Sequence, residues 1–589
     1  MPVRGAVIGA VLACALAAGA AWWALSGGGP AEGPAPAERP PFVEPPRAPA
    51  EPTGPGWFRD VTAGSGLAFA ARNGEEAGHA AILESLGTGV ALLDYDGDGL
   101  LDVFLTGGGH FDAGAPVPRG HPCKLFRNLG NFKFEDTTAR AGLDQVDWWY
   151  THGAAVADYD RDGWPDLVVT GYGRIAVFHN EPDGRGGRAF ADVTEKLGAK
   201  ADGWCTSAGW ADLDGDGFPD LYVCRYCDWS PANHPRCDAL PPATGRDICT
   251  PQKFRPLEHL AFRNEKGAAL RPWALHPTAR GRGLGVILAD LNGDARPDVY
   301  VANDTDFNFL FFNRGGTFDE VGLVSGAGAD EGGHPDGSMG VDVGDYDGSG
   351  RPAIWVTNFD GEANALYRNL GRESFLHQSR AAGVTAHGLR YVGFGTAFVD
   401  ADNDGWEDLL ALNGHVFGKV APERRRQRPV LLANVDAAGK RHFRPAGTGT
   451  EAFFRAPALG RGLAVGDLNN DGWPDAIAVH TNAPVAVLQN VAAEHAKANW
   501  VGFQLVGRGN RDTVGAAVTI ESGGRALVRF TKGGGSYMSS SDRRVLFGLG
   551  TAAAPVRVSV RWSWGEVQTW DGLAPNRYWV LTEGAPAAR

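Results

Sequence analysis

From Trp57 onward the chain alternates short runs of small, β-branched or aromatic residues with compact polar stretches, and the alternation recurs. A Gly/Ala-rich run opens each unit: GTGVALL, GAAVA, TSAGWA, GLGVILA, GSMGVDVG, GFGTAFV and GRGLAVG. An acidic stretch follows, then a run such as VFLTG, LVVTG, LYVCR, VYVAN or IWVTN. Further on, segments such as LFRNLGNFKFEDTTARAGL and LFFNRGGTFDEV add two more runs around an Asn/Gly turn. These patterns predict strands joined as hairpins. Four short strands per unit and seven units predict an all-β fold, a seven-bladed β-propeller. The Gly/Ala-rich strand suits the innermost position, where strands crowd the axis. WFRDVTAGSGL (Trp57–Leu67) matches the fourth-strand segment KFEDTTARAGL, whereas the seventh unit stops after VAVLQN (Val485–Asn490). The N-terminal strand is therefore expected to complete the last blade, leaving no open edge. A smaller alternating region, about 498–584, predicts a small β-sandwich after the propeller at 57–497.

The acidic stretch is the most repetitive element. DYDGDGLLD (Asp94–Asp102) returns six more times, and the copies start 64, 54, 78, 55, 55 and 67 residues apart. Its spacing, D-x-D-x-D-G-x-x-D, offers hard oxygen ligands at alternate positions, a Gly for the sharp turn and a late carboxylate, as a Ca²⁺ loop requires. The expected ligands are Asp94, Asp96, Asp98 and Asp102 in loop one; Asp158, Asp160, Asp162 and Asp166 in loop two; and Asp212, Asp214, Asp216 and Asp220 in loop three. Loop four offers Asp290, Asn292, Asp294 and Asp298, loop six Asp400, Asp402, Asp404 and Asp408, and loop seven Asp467, Asn469, Asp471 and Asp475. Loop five keeps Asp345 and Asp347 but has Ser349 and Ala353 elsewhere, so it is expected to bind weakly or not at all. The expectation is about six Ca²⁺ ions. They would offset most of the formal charge of −14, an acidity that argues against nucleic acid as a partner.

These units resemble FG-GAP (VCBS-type) repeats, the calcium-loop propeller repeats of integrin α-subunit heads and many bacterial secreted proteins. The segment from Asn510 to Trp570 (NRDTVGAAVTIESGG…SYMSSSDRRVLFGLG…VRWSWGEVQTW) resembles the ASPIC/UnbV domain of the cartilage acidic protein group. The resemblance implies a calcium-stabilised propeller and, from cysteines paired in this insertion in bacterial relatives, a Cys237–Cys249 disulfide. Symmetric pairing about the Asp212–Asp220 loop sets Cys205 opposite Cys227, which suggests a second bridge. Zinc at CRYC is disfavoured because no second C-x-x-C follows. Disulfides fit an oxidising compartment. So does the N-terminus, where Arg4 precedes an apolar run from Gly5 to Leu25. Residues 1–25 read as a cleaved signal peptide or a retained membrane anchor, and 26–56 as a Pro-rich linker. Lipidation at Cys14 is disfavoured by the apolar residues after it. An exported protein is expected: periplasmic, cell-surface or extracellular.

The propeller face opposite the acidic loops gathers Trp148, Trp149, His152, Trp204, His334, His387, Arg390, His415 and His480, expected to be exposed there. Such a face would suit a protein or glycan ligand. No nucleophile elbow, P-loop or H-E-x-x-H occurs, and GRGLGV precedes a strand, so it is not a dinucleotide loop. Two readings follow: a binding or adhesion module, or an enzyme using a His/Asp group, with or without a transition metal, on that face. Three such side chains within coordination distance there would favour the second.

Overall fold

The computed structural model describes residues 55–589 except 240, 277–278 and 447–451. The signal or anchor and nearly all of the Pro-rich linker lie outside the described residues. Among the described residues no helix is long and apolar enough to cross a membrane.

Seven four-stranded antiparallel sheets succeed one another along the chain. Blade one shows the plan: Val90–Leu93, Asp102–Leu105, Lys124–Asn128 and Phe134–Asp136, paired in that order. Blade seven takes three strands from Gly460–Gly466, Asp475–His480 and Ala486–Asn490, and its fourth from Phe58–Asp60. Phe58 pairs with Asn490 and Asp60 with Leu488, so the N-terminal strand closes the ring as the repeat count requires. Apolar residues of neighbouring blades fill the space between sheets: Leu92 and Val103 of blade one share a core with Ala464 and Ile477 of blade seven. This inter-blade burial is the main cohesive contribution.

After the propeller, a three-stranded and a four-stranded sheet pack face to face over Val501, Phe503, Val518, Val558, Trp562 and Trp570. That is the expected small sandwich, and it joins the propeller in one compact body. A two-residue strand, Gly533–Gly534, leaves the sandwich and adds a fifth strand to blade four, beside Gly283–Ala289.

The blade-three insertion forms a hairpin, Cys237–Asp238 with Arg246–Asp247, tied by a Cys237–Cys249 disulfide. The second expected bridge is not formed: Cys205 and Cys227 are free, buried thiols, as are Cys123 and Cys224. The symmetric register fails because the inner strand bulges between Cys205 and Ala208, which sets Cys205 opposite Arg225 instead of Cys227.

Candidate metal centres

The loop joining a blade's first two strands is held by its own carboxylates. The first Asp accepts backbone N–H groups across the turn: Asp94 takes Gly97 (2.8 Å) and Gly99 (2.9 Å), and Asp212 takes Gly215 (2.8 Å) and Gly217 (2.9 Å). The sixth position has φ between +68° and +94° in all seven loops, which explains the glycine there. Loop four alone carries alanine, Ala295 at φ 68°, and bears the strain.

The ninth-position Asp does a second job. In loop one, Asp102 accepts the N–H of Tyr95 (3.0 Å) and that of Asn128 on the third strand (2.8 Å). The Asn128 amide then donates to the carbonyl of Leu468 in loop seven, at 2.8 Å. The same linkage recurs from Asn180 to Tyr95, Asn264 to Tyr159, Asn313 to Leu213, Asn369 to Leu291, Asn434 to Tyr346 and Asn490 to Ala401. A closed ring of seven asparagines thus ties every acidic loop to its neighbour.

Ligand atoms converge in four loops. One oxygen from each residue lies within 4.8 Å of the others in Asp94/Asp96/Asp102, Asp158/Asp160/Asp166, Asp212/Asp214/Asp220 and Asp400/Asp402/Asp404. Burial pushes Asp102 and Asp220 up to about 8, and Asp158 and Asp212 up to about 7. Buried Oδ1 atoms of Asp96, Asp158, Asp345 and Asp400 have no hydrogen-bond partner. Clustered, desolvated carboxylates with unmet lone pairs fit a hard divalent cation. In loops four and seven the amides of Asn292 and Asn469 donate to Asp294 (3.0 Å) and Asp471 (2.8 Å), so their carbonyl oxygens face away from those carboxylates. In loop five Arg368 sits on Asp347, at 2.6 Å.

The C-terminal domain covers this face. Trp564 Nε1 donates to the Asp212 carbonyl (2.8 Å), Gly548 N to Asp400 Oδ2 (3.1 Å) and the Tyr578 hydroxyl to Asp467 Oδ2 (2.9 Å), while Arg561 pairs with Asp290. Its segment Lys532–Asp542 then enters the central channel and bonds the inner strand of every blade. The contacts are Ser540 N to Val90 O, Ala154 N to Met538 O, Met538 N to Ser207 Oγ, Gly535 N to Val286 O, Ser536 N to Val341 O, Thr396 N to Ser536 Oγ and Asp542 N to Val465 O, all 2.6–3.2 Å. Tyr537 and Met538, at 0% and 1% exposed, fill the axis. The Tyr537 hydroxyl reaches the Leu86 carbonyl at 3.0 Å.

Leu86 belongs to a cap on the opposite end, and this cap changes the picture of that face. Ile82, Leu83 and Leu86 cover a cluster containing Phe111, Tyr150, Trp204, Tyr226 and Trp229. Arg461, 2% exposed, fastens the cap with bonds to Ser85 O (2.8 and 3.1 Å) and lies over the Phe394 ring. Trp148, His152, Trp204, His415 and His480 are buried, contrary to expectation. His152 shows why: Nδ1 bonds Gly87 O (2.8 Å), Nε2 accepts from Trp204 (2.8 Å), and burial lowers its pKa to about 4. His415 packs on Phe359 and Phe417, His480 bonds Pro484 O (2.9 Å), and Trp148 bonds Leu143 O (3.2 Å). Trp149, His334, His387 and Arg390 remain partly exposed. Among the described residues, the convergent groups of three lie in the acidic loops and their adjoining third strand, not on this face.

Sequence reasoning missed the plug and the cap. The plug's only signal was the run GGGSYMSSSD, since three glycines in a row permit close backbone approach. Built side chains at Gly533 and Gly534 would strike the carbonyls of Trp210 and Val286.

The FG-GAP-like repeat family matches residues 94–169, 158–223 and 290–356, and the ASPIC and UnbV family matches 507–588. The chain thus carries FG-GAP-like repeats and, after them, a C-terminal ASPIC/UnbV domain. Its FG-GAP propeller is integrin-like: integrin alpha-PS5 of Drosophila melanogaster is 32% identical over 155 residues, 24% of this chain. The match spans only 15% of that integrin's length. Among solved structures, an Agrocybe aegerita protein described as recognising non-reducing terminal N-acetylglucosamine is 19% identical, with 64% of this chain and 93% of that one covered and a TM-score of 0.36. Sqt1 of Chaetomium thermophilum is 12% identical, with 73% and 98% covered and a TM-score of 0.36.

Proposed function

We propose that this FG-GAP/ASPIC protein is an exported, calcium-braced interaction module whose cap-side face meets a protein or glycan partner. The observation that carries this reading is the burial of the metal-loop face under the C-terminal domain. Ions held there brace the scaffold and the domain contact, and the opposite face is left for recognition. The integrin relative, the Cys237–Cys249 disulfide and the unmet carboxylate oxygens of the loops support it. Loops one, two, three and six hold calcium through their converged carboxylates. Loops four and seven complete the set once Asn292 and Asn469 turn their carbonyl oxygens inward, and loop five is left out.

Elemental analysis of the exported protein, purified without chelator, tests the metal half. About six calcium ions per chain are expected, and a metal-free protein of unchanged stability would overturn it. Glycan and protein-partner screens test the other half, with binding expected to weaken in Trp149→Ala and Arg390→Ala. Retained affinity in both variants would remove this face from the reading.

A further inference from the structure

The residue before the third-strand asparagine is an arginine in blades one, three and five, and Phe312, Ala433 and Gln489 in blades four, six and seven; blade two alone carries a histidine. In the arginine blades this residue leans over the acidic loop. In blade one it is Arg127, whose guanidinium bridges the third- and fifth-position carboxylates, 2.5 Å from Asp96 and 2.8 Å from Asp98. Arg263 of blade three lies 3.1 Å from Asp214, and Arg368 of blade five 2.6 Å from Asp347. Blade two has His179 there. We propose that Asp160, Asp162 and His179 form a second divalent-ion site of transition-metal type, outboard of loop two's calcium position.

One ligand atom from each of the three lies within 4.8 Å of the other two. A guanidinium has no lone pair to give, so the arginine blades can only neutralise their outer carboxylates with a fixed charge. An imidazole can instead ligate. Two carboxylate oxygens with one imidazole nitrogen suit Mn²⁺, Co²⁺ or Zn²⁺, whereas Ca²⁺ takes oxygen alone. His179 Nδ1 lies 3.1 Å from Asp166 Oδ1 and 3.6 Å from Asp160 Oδ2, so an ion bound at Nδ1 would take the place of the Asp166 contact. Asp160 is common to this set and to Asp158/Asp160/Asp166, so its carboxylate would bridge the two ions. The buried Asp158 Oδ1 has no partner, which leaves the inner set its own unmet lone pair.

Arg188 does not fill the outer position. It is 4.0 Å from Asp162, stacks on Trp164 at 4.0 Å and donates to both side-chain and backbone oxygens of Asn180. His179 side-chain exposure of 19% and Asp162 exposure of 37% leave room for an ion to enter and for waters to complete its coordination. The competing arrangement is a protonated His179 that merely replaces the arginine charge.

The test is a Co²⁺ titration of the full exported protein held in saturating Ca²⁺, read by visible ligand-field absorption and repeated with Zn²⁺ by calorimetry. The comparison is His179→Arg, a residue that three sibling blades already accommodate. Wild type should bind one ion equivalent that calcium does not displace. His179→Arg should weaken that equivalent by about tenfold or more, with calcium stoichiometry and calcium-loaded Tm unchanged. Equal Co²⁺ binding in both proteins would overturn the site, as would no binding above the calcium background. Failure of the calcium reading would look different, since Co²⁺ would then enter several loops in both proteins alike.

Discussion

The channel plug makes Gly89→Ala an informative substitution. Gly89 precedes the inner strand of blade one, and its φ is not in the left-handed region, so alanine there carries no backbone strain. A Cβ would overlap the Met538 carbonyl oxygen, which is backbone and cannot swing aside. If the plug shifts locally, overpacking costs about 1–3 kcal/mol. If it withdraws, Tyr537 and Met538 lose burial worth about 1.5–3 kcal/mol each. The backbone bonds to Val90, Ala154, Val286, Val341 and Val465 are lost as well. We therefore expect a loss of at least about 1 kcal/mol, rising to several if the plug leaves. The control is Gly114→Ala, where a Cβ would meet no atom within 4 Å. Urea unfolding gives the free energy, and limited trypsin digestion reports plug release through cleavage at Lys532 and Arg543, which flank it. The plug assignment is wrong if Gly89→Ala matches Gly114→Ala in both assays.

Three further outcomes follow from the loops. Asp102 and Asp220, at about 8 in the folded chain against an ordinary 3.8, take up protons on folding. Calcium-free protein should thus lose stability as pH rises from about 4 to 8, and the Tm increment from added calcium should be larger at pH 8 than at pH 5.5; the reverse ordering would contradict the burial of these carboxylates. Asp96→Ala should reduce the calcium-dependent rise in Tm, whereas Asp347→Ala, in loop five, where Ser349 and Ala353 replace two carboxylates, should leave it unchanged when both are followed by calorimetry with and without chelator. Asn264→Leu leaves the buried carbonyls of Tyr159 and Pro219 without their donor, at about 1–3 kcal/mol each, a loss that chemical denaturation would detect in calcium and in chelator alike.

The fold was legible because its two determinants are local and repeated. The small inner strand and the D-x-D-x-D-G-x-x-D turn each impose their conformation without help from distant residues, and seven copies fix the blade count. Ring closure could be read for the same reason, since Trp57–Leu67 resembles a fourth strand wherever it lies in the chain. The ligand face was not legible because its fate depends on a segment with no repeat. Residues 73–87 fall between the closing strand and blade one and carry no β pattern, yet they bury His152 and Trp204 by folding over the channel.

The ninth-position aspartate shows the same limit inside a repeat. Its spacing advertised a metal ligand, but its first partners are the N–H groups of its own loop and third strand, and the asparagine beside it carries the bond to the neighbouring blade. Conversely, loop five lacks that aspartate at Ala353 and still keeps the asparagine bond, from Asn369 to Leu291. The blade-to-blade bond is therefore independent of the ninth-position aspartate in at least one copy. On the proposed function, calcium would add stability to a propeller that the asparagine ring already closes, and removing it should soften the metal face and its domain contact before the ring opens.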